Sequence, residues 1–248
     1  MKGLYSIALG IGLTLSIIGS SSALVDSYGY TEIEVTNGGT ITGTVTLDGD
    51  IPAPKLLKVD KDLETCGHHE MFSEELIISK DTKGIKNVIV SIENIEKGKK
   101  FDAPGSNPPL DQKDCVFIPH ILAIPTGTTV DILNSDKVLH NVHSYAIKNS
   151  PFNEGVSTGG KLPKKFEFPE LVPIKCDLHK WMSAFIVIKD NPYFVMTDDN
   201  GSFKIDNVPA GTYKLQAWQE KLGKQVQDVT IEAGKEVKVD FQLKPKGK

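Results

Sequence analysis

Apolar and polar residues alternate with a period of two along most of the chain. Residues 40–47, TITGTVTL, place Ile41, Val45 and Leu47 on one face and threonines on the other. Because successive side chains of a strand point to opposite faces, this pattern predicts β-strands. The same alternation recurs in four further segments, residues 86–93, 128–133, 213–218 and 237–243. Residues 185–188, FIVI, form a continuous apolar run that predicts a strand buried on both faces.

Turn-forming residues separate the predicted strands. Gly, Pro, Asn and Asp cluster in short stretches such as residues 48–50, 125–127, 198–201 and 209–211. No window of a dozen residues has the apolar stripe of an amphipathic helix. The sequence therefore predicts an all-β protein built from sandwiches.

Two polar stretches predict the joints of the chain. Residues 96–114 are rich in Pro, Gly and charged residues and predict a long loop, and residues 189–193 follow the last central strand. The segment TDDNGSFKIDNVPAGTYKLQAW after that joint resembles carboxypeptidase regulatory-like domains and the sandwich domain of rhamnogalacturonan lyases. We therefore predict one domain over residues 36–190 and a regulatory-like sandwich over residues 191–248. The second is too short for a full sandwich, so strands from residues 36–100 are candidates to complete it, with the middle region as an insertion.

The N-terminus has the pattern of a secretory signal. Lys2 precedes an apolar run over residues 4–18, and small residues end in Ser21-Ser22-Ala23. This predicts a signal peptide over residues 1–23 and a periplasmic or secreted protein, the alternative being an uncleaved membrane anchor. No later segment is apolar enough to predict a membrane span. The formal net charge of −4 argues against a nucleic-acid partner, which would call for a basic face.

Three cysteines leave one unpaired in an oxidising compartment. They are Cys66, Cys115 and Cys176. A Cys66–Cys115 disulfide is the favoured pairing and would typically contribute ~2–4 kcal/mol of stability. The alternative is a metal cluster in the stretch ETCGHHE, where Cys66, His68 and His69 stand close together.

The densest chemistry lies in residues 173–188, PIKCDLHKWMSAFIVI. Cys176, His179 and Met182 follow one another at intervals of three, and His140 lies in the separate segment HNVH. Two imidazoles, one thiolate and one thioether are the ligand set of a blue-copper electron-transfer centre. Methionine is an unusual zinc ligand, so zinc fits this set less well.

These motifs resemble the cupredoxins, and their spacing is similar to the short-loop amicyanin type. The resemblance rests on HNV at the first ligand, on CDLHKWM, and on the upstream stretch FIPHILAIPTGTTVDILNSDKVLHNV. It covers about residues 115–190, the core of the first domain. It implies a Greek-key sandwich that binds one type 1 copper through His140, Cys176, His179 and Met182.

The resemblance also implies a function. A cupredoxin of this type carries single electrons and is not an enzyme, and the chain lacks the added His-Cys-His ligands of copper enzymes. His179 is expected at the surface as the electron exit, with Leu178 and Trp181 shielding the metal and forming the docking patch. The implied partners are redox proteins, such as a c-type cytochrome or a dehydrogenase.

Two further histidines stand outside this ligand set. His143 follows His140 by three residues, so a regular strand would point the two to opposite faces. His143 then is a surface histidine, with a role beside the metal or in electron exit as the alternative. His120, in IPHIL, is expected to be structural, and a second metal site formed by His120 with His143 is the alternative.

Two other functions compete with electron transfer. The first is copper binding for storage, with His120, His143 and the Cys66 stretch as added ligands. The second is a metal-free structural or carbohydrate-associated surface module.

Overall fold

A computed structural model describes residues 29–245. Within this range the chain forms nineteen β-strands and one short helix, α1, Leu63–Cys66. The first nine strands are β1 Thr31–Glu32, β2 Gly39–Leu47, β3 Ile89–Ile92, β4 Lys97–Gly98, β5 Pro109–Lys113, β6 Val116–Ile118, β7 Ile121–Pro125, β8 Thr128–Asn134 and β9 His140–Ser144. The remaining strands are β10 Asn153–Val156, β11 Lys161–Phe166, β12 Glu170–Lys175, β13 Ser183–Lys189, β14 Phe194–Met196, β15 Ser202–Val208, β16 Gly211–Gln219, β17 Gly223–Ile231, β18 Glu236–Lys238 and β19 Phe241–Leu243.

The middle of the chain forms one β-sandwich, which we call the central sandwich. One sheet has the order β10-β9-β12-β13-β7 and the facing sheet has the order β11-β8-β5-β6. The pairs β13–β7 and β5–β8 are parallel, and the other pairs are antiparallel. Between the sheets lies a core of fully buried apolar side chains that includes Leu110, Ile132, Val142, Phe166 and Ile186.

A second sandwich, the outer sandwich, combines strands from both ends of the described chain. Its sheets have the orders β14-β3-β16-β17 and β15-β2-β18, and β19 also pairs with β2. Strand β2 pairs with β15 in antiparallel register, and β3 pairs with β16. Because β2 and β3 precede the central sandwich and β14–β19 follow it, the central sandwich is inserted between strands of the outer one.

The all-β class with two sandwiches is confirmed, and several segments differ from the prediction. Residues 96–114, predicted as a loop, contain β4 and β5. Residues 237–243 fall in two short strands, β18 and β19, which both pair with β2; between them the Thr44 N–H donates to the Asp240 side chain at 2.9 Å. The predicted domain boundary at residue 190 stays a prediction. Strand pairing places β2 and β3, which precede the central sandwich, in the same sheets as strands that follow it.

Two features of the N-terminal region complete the description. The predicted signal peptide, residues 1–23, lies outside the described residues. Among the residues that are described, no helix has the length and apolar character needed to cross a membrane.

The two sandwiches meet along β13. Val187 is fully buried against Ile89 and Ile121, and the ring of Phe185 meets that of Trp218 edge-on at a centroid distance of 5.2 Å. Strand β13 therefore packs on the central core with one face and on the outer sandwich with the other. This explains why its sequence is apolar at successive positions.

A histidine–carboxylate pair crosses the same junction. His120 Nδ1 lies 3.0 Å from the Ser183 carbonyl oxygen, and its Nε2 lies 2.5 Å from Glu220 Oε1. Both side chains are nearly buried. Burial alone would lower the pKa of His120, but the Glu220 carboxylate, with a smaller contribution from Glu74, raises that pKa above its ordinary value.

We expect Glu220→Gln to destabilise the protein mainly at low pH. The His120–Glu220 pair contributes fully below the ordinary histidine pKa, and its contribution is lost as pH rises through the raised pKa. The free energy of unfolding should fall by about 1–3 kcal/mol near pH 5.5, and by less in alkaline solution. Urea unfolding at several pH values measures this. Glu232→Gln, at the exposed pair with Lys235, is the matched control, and an equal loss at every pH would contradict the prediction.

Candidate metal centre

The turn between β8 and β9 positions the first histidine. Asn134 ends β8 and donates its side-chain amide to the carbonyl oxygens of Val138 at 2.9 Å and Val156 at 2.7 Å, while its Oδ1 accepts the Asp136 N–H. This turn directs the Asp136 carboxylate toward β9, where Oδ2 lies 2.8 Å from Nε2 of His140. His140 opens β9 and is fully buried. Its Nε2 is therefore assigned as the protonated nitrogen, which leaves Nδ1 as the electron-pair donor.

The loop between β12 and β13, residues 176–182, carries the other three predicted ligands, and we call it the ligand loop. The Cys176 N–H donates to the Met182 carbonyl at 3.3 Å, and the Met182 N–H donates to the His179 carbonyl at 2.9 Å. From β9, Asn141 Oδ1 accepts the N–H groups of Asp177 at 2.8 Å and Leu178 at 3.1 Å. The same oxygen lies 3.4 Å from Cys176 Sγ. One side chain thus fastens the loop to the strand that presents the first histidine.

Three donor atoms converge in the interior. Ligand atoms of His140, Cys176 and His179 all lie within 4.8 Å of one another. The two Nδ1 atoms are 2.9 Å apart, and Cys176 Sγ is 3.6 Å from His179 Nδ1. On the far side of the second ring, His179 Nε2 lies 2.7 Å from Asp62 Oδ2.

The imidazole rings of His140 and His179 face each other through their Nδ1 atoms. Asp136 and Asp62 each accept from an Nε2–H, so both Nδ1 atoms of His140 and His179 present lone pairs at 2.9 Å. Two acceptors at this distance repel unless a cation lies between them, either a shared proton or a metal ion. Burial, reinforced by the neighbouring His179 ring, keeps the pKa of His140 below its ordinary value despite Asp136. This favours the neutral imidazole, the form that binds a metal.

The donor set fits copper. A thiol and two imidazoles combine a soft ligand with borderline ones, as a blue-copper centre requires. Cys176 and Met182 are 2% and 1% exposed and belong to the same core cluster. Met182 thus lies at the end of the ligand loop as a buried thioether, while the convergence of donors rests on His140, Cys176 and His179.

His179 is not at the surface, so the exposure expected for it is wrong, while its role as electron exit stays a prediction. The side chain is 0% exposed because Asp62 covers its Nε2 and the Trp181 ring packs edge-on against it at 5.1 Å. Trp181 is itself tied inward, since its Nε1–H donates to the Cys115 carbonyl at 3.0 Å. Leu178 and Trp181 are half-buried and pack against the core cluster that contains Cys176 and Met182.

The remaining predicted residues lie apart from the donor group. Nδ1 of His143 is 3.0 Å from Asp177 Oδ2, and its ring stacks on Tyr145 at 4.2 Å. The alternative of a metal site formed by His120 with His143 stays a prediction; in the structure Ser183 and Glu220 engage the two ring nitrogens of His120.

Cys66 and Cys115 form a disulfide, and Cys176 is a free buried thiol. The alternative metal cluster in residues 64–70 therefore lacks its thiolate. His68 and His69 in that stretch are exposed. The unpaired cysteine of the described chain is the one that lies among the donor atoms.

Three residues of the centre were missed from the sequence. Asp136 and Asn141 lie on either side of His140 within NSDKVLHN, so each had a local signal. Asp136 is a turn-forming residue before a strand, and Asn141 is an amide next to a predicted ligand. Asp62 gave no such signal. It lies 117 residues before His179, in a stretch with no motif of its own.

Comparison with known proteins gives partial likenesses. A family model described as "Polysaccharide lyase family 4, domain II" matches residues 177–239. That stretch runs from the ligand loop through much of the C-terminal part of the outer sandwich. No curated protein matches the chain.

Three solved structures are similar over part of the chain. A copper-containing nitrite reductase from Thermus scotoductus is 21% identical over 37% of this chain and 26% of its own, with a TM-score of 0.33. A purple cupredoxin from Nitrosopumilus maritimus is 29% identical over 30% of this chain and 82% of its own, with a TM-score of 0.27. A reduced mutant of amicyanin is 18% identical over 36% of this chain and 87% of its own, with a TM-score of 0.32. At TM-scores this low, the likenesses assign no function to this chain.

We expect Asn141→Ala to loosen the ligand loop. The variant loses the acceptor for two backbone N–H groups and the Cys176 thiol, so the free energy of unfolding of the metal-free protein should fall by about 2–3 kcal/mol. Urea unfolding measures the loss. Asn153→Ala removes only surface partners of Asn141 and Asp177 and should cost less. Equal losses would show that the buried acceptor is not what holds the loop.

Proposed function

We propose that this chain is an exported type 1 copper protein that carries single electrons between redox proteins. The observation that carries this proposal is the convergence of His140 Nδ1, His179 Nδ1 and Cys176 Sγ on one buried point. Met182 supplies the fourth, thioether donor. Bound copper would supply a one-electron couple between its Cu(I) and Cu(II) states.

The protein itself would hold the donor atoms rigidly and exclude water from them. Each imidazole has its outer nitrogen fixed by a carboxylate, and the loop is closed by backbone hydrogen bonds and by Asn141. The predicted ligands are all nearly or fully buried. A rigid, water-excluding site lets an electron move with little rearrangement of ligands or solvent.

The cellular setting belongs to the same proposal. The signal-like residues 1–23 support export to the periplasm or the outside. A disulfide between Cys66 and Cys115 suits an oxidising compartment. The partners would be a c-type cytochrome or a dehydrogenase, and the chain would act as a carrier and not as an enzyme.

The proposal predicts one coloured copper per chain. Adding one equivalent of Cu(II) to the metal-free protein should give an intense visible absorption band from thiolate-to-copper charge transfer. Ascorbate should bleach the band and ferricyanide should restore it. Cys176→Ser should abolish the band because the thiolate is lost, while circular dichroism reports that the variant remains folded.

His143→Ala is the matched control and should keep the band, since His143 lies outside the donor group. Several bound coppers without the band would support storage in place of electron transfer. Absence of any copper binding would contradict the proposal and favour the alternative of a metal-free surface module.

A further inference from the structure

The N-terminal segment around α1 lies against the metal centre although it belongs to neither sheet of the central sandwich. Asp62 directly precedes α1 and accepts the backbone N–H groups of Thr65 and Cys66 on its carbonyl oxygen. Its side chain reaches in the other direction, to His179 Nε2. We call residues 62–66 the cap.

The cap is covalently tied beside the donor group. The disulfide joins Cys66, the last residue of α1, to Cys115, which is fully buried. The Cys115 N–H donates to Asp136 Oδ2 at 2.9 Å, the oxygen that also binds His140. The carbonyl oxygen of Cys115 accepts from Trp181, whose ring packs on His179. One half of the disulfide thus touches the supports of both histidines, and the other half holds Asp62.

The backbone at Asp62 is adapted to this task. Its φ is 50°, in the left-handed region that Asn, Asp and Gly tolerate better than other residues. This conformation lets one residue start the helix with its carbonyl group and turn its carboxylate back onto His179. No acidic side chain in α1 itself makes that contact.

We propose that Asp62 is a positioning residue of the metal centre and that the Cys66–Cys115 disulfide delivers it. Its carboxylate fixes the proton of His179 on Nε2, turns Nδ1 toward Cys176 and closes the outer edge of the ring to solvent. A carboxylate on the outer nitrogen also raises the basicity of a ligating imidazole. The effect on a bound metal rests on the proposed copper function, whereas the effect on the histidine does not.

Two variants separate hydrogen bonding from charge. Asp62→Gly removes the acceptor, and Asp62→Asn keeps a neutral acceptor, and both residues tolerate the positive φ. In metal-free protein labelled with ¹⁵N, wild type and Asp62→Asn should show a slowly exchanging His179 Nε2–H. Asp62→Gly should lose that signal. Asp60→Gly, at an exposed neighbouring position, is the matched control and should behave as wild type.

Chemical modification measures the closed edge. Diethyl pyrocarbonate should modify the half-exposed His143 in all variants and spare His179 in wild type. In Asp62→Gly, and in the double variant Cys66→Ser/Cys115→Ser, the rate at His179 should rise by about tenfold or more as the edge opens. Unchanged protection and an unchanged Nε2–H signal in Asp62→Gly would overturn the proposal.

The reduction potential is a readout that a merely structural residue would not move. In copper-loaded protein, both Asp62→Asn and Asp62→Gly should raise the midpoint potential, because a negative charge that favours Cu(II) is lost. A potential equal to wild type in both would refute the electrostatic role. A protein that binds no copper refutes the proposed function alone, since the proton and modification experiments still decide the role of Asp62.

Discussion

The arrangement of the centre depends on where two histidine protons are held. Asp136 and Asp62 each take the Nε2–H of one imidazole, so His140 and His179 must turn their Nδ1 atoms toward each other and toward the thiol of Cys176. If either proton moved to Nδ1, one donor of the set would become unavailable. The carboxylates are thus as necessary to the geometry as the residues that face inward.

The insertion of one sandwich into the other gives this geometry a stiff support. Strand β13 leaves the ligand loop and is buried between the central core and the outer sandwich, where Val187 contacts Ile89 and Ile121. The end of the ligand loop therefore starts a strand that cannot shift without disturbing two cores. The buried His120–Glu220 pair adds a polar contact at the same junction. His120 also contacts the carbonyl oxygen of Ser183, the residue that follows the ligand loop.

Local pattern predicted much of this structure, and distance along the chain set the limit. The alternation in residues 40–47 corresponds to β2, and the run at 185–188 lies within β13. Both were predictable because the pattern of apolar residues in a strand reflects which of its faces are buried. The segments 97–98 and 109–113 were expected as loop because they stand in a polar stretch rich in Pro and Gly, and the strands that they form are short, with few buried positions. The motif spacing selected His140, Cys176 and His179, which the fold brings together. The exposure expected for His179 was wrong, because its cover comes from Asp62, whose approach depends on a disulfide and a left-handed turn and not on any motif.

The two carboxylates do not contribute equally to the field at the donor group. Asp136 is 7% exposed and Asp62 is 37% exposed, so water screens the charge of Asp62 more strongly. Asp136 in turn shares its charge with the backbone N–H groups of Asp114 and Cys115, which spreads it without neutralising it. Together with the thiolate that Cys176 would supply to a bound metal, they would place net negative charge around one buried point, which stabilises a divalent cation more than a monovalent one. In the proposed copper protein, the two carboxylates would therefore favour the oxidised state, and solvent would weaken the contribution of Asp62 more than that of Asp136.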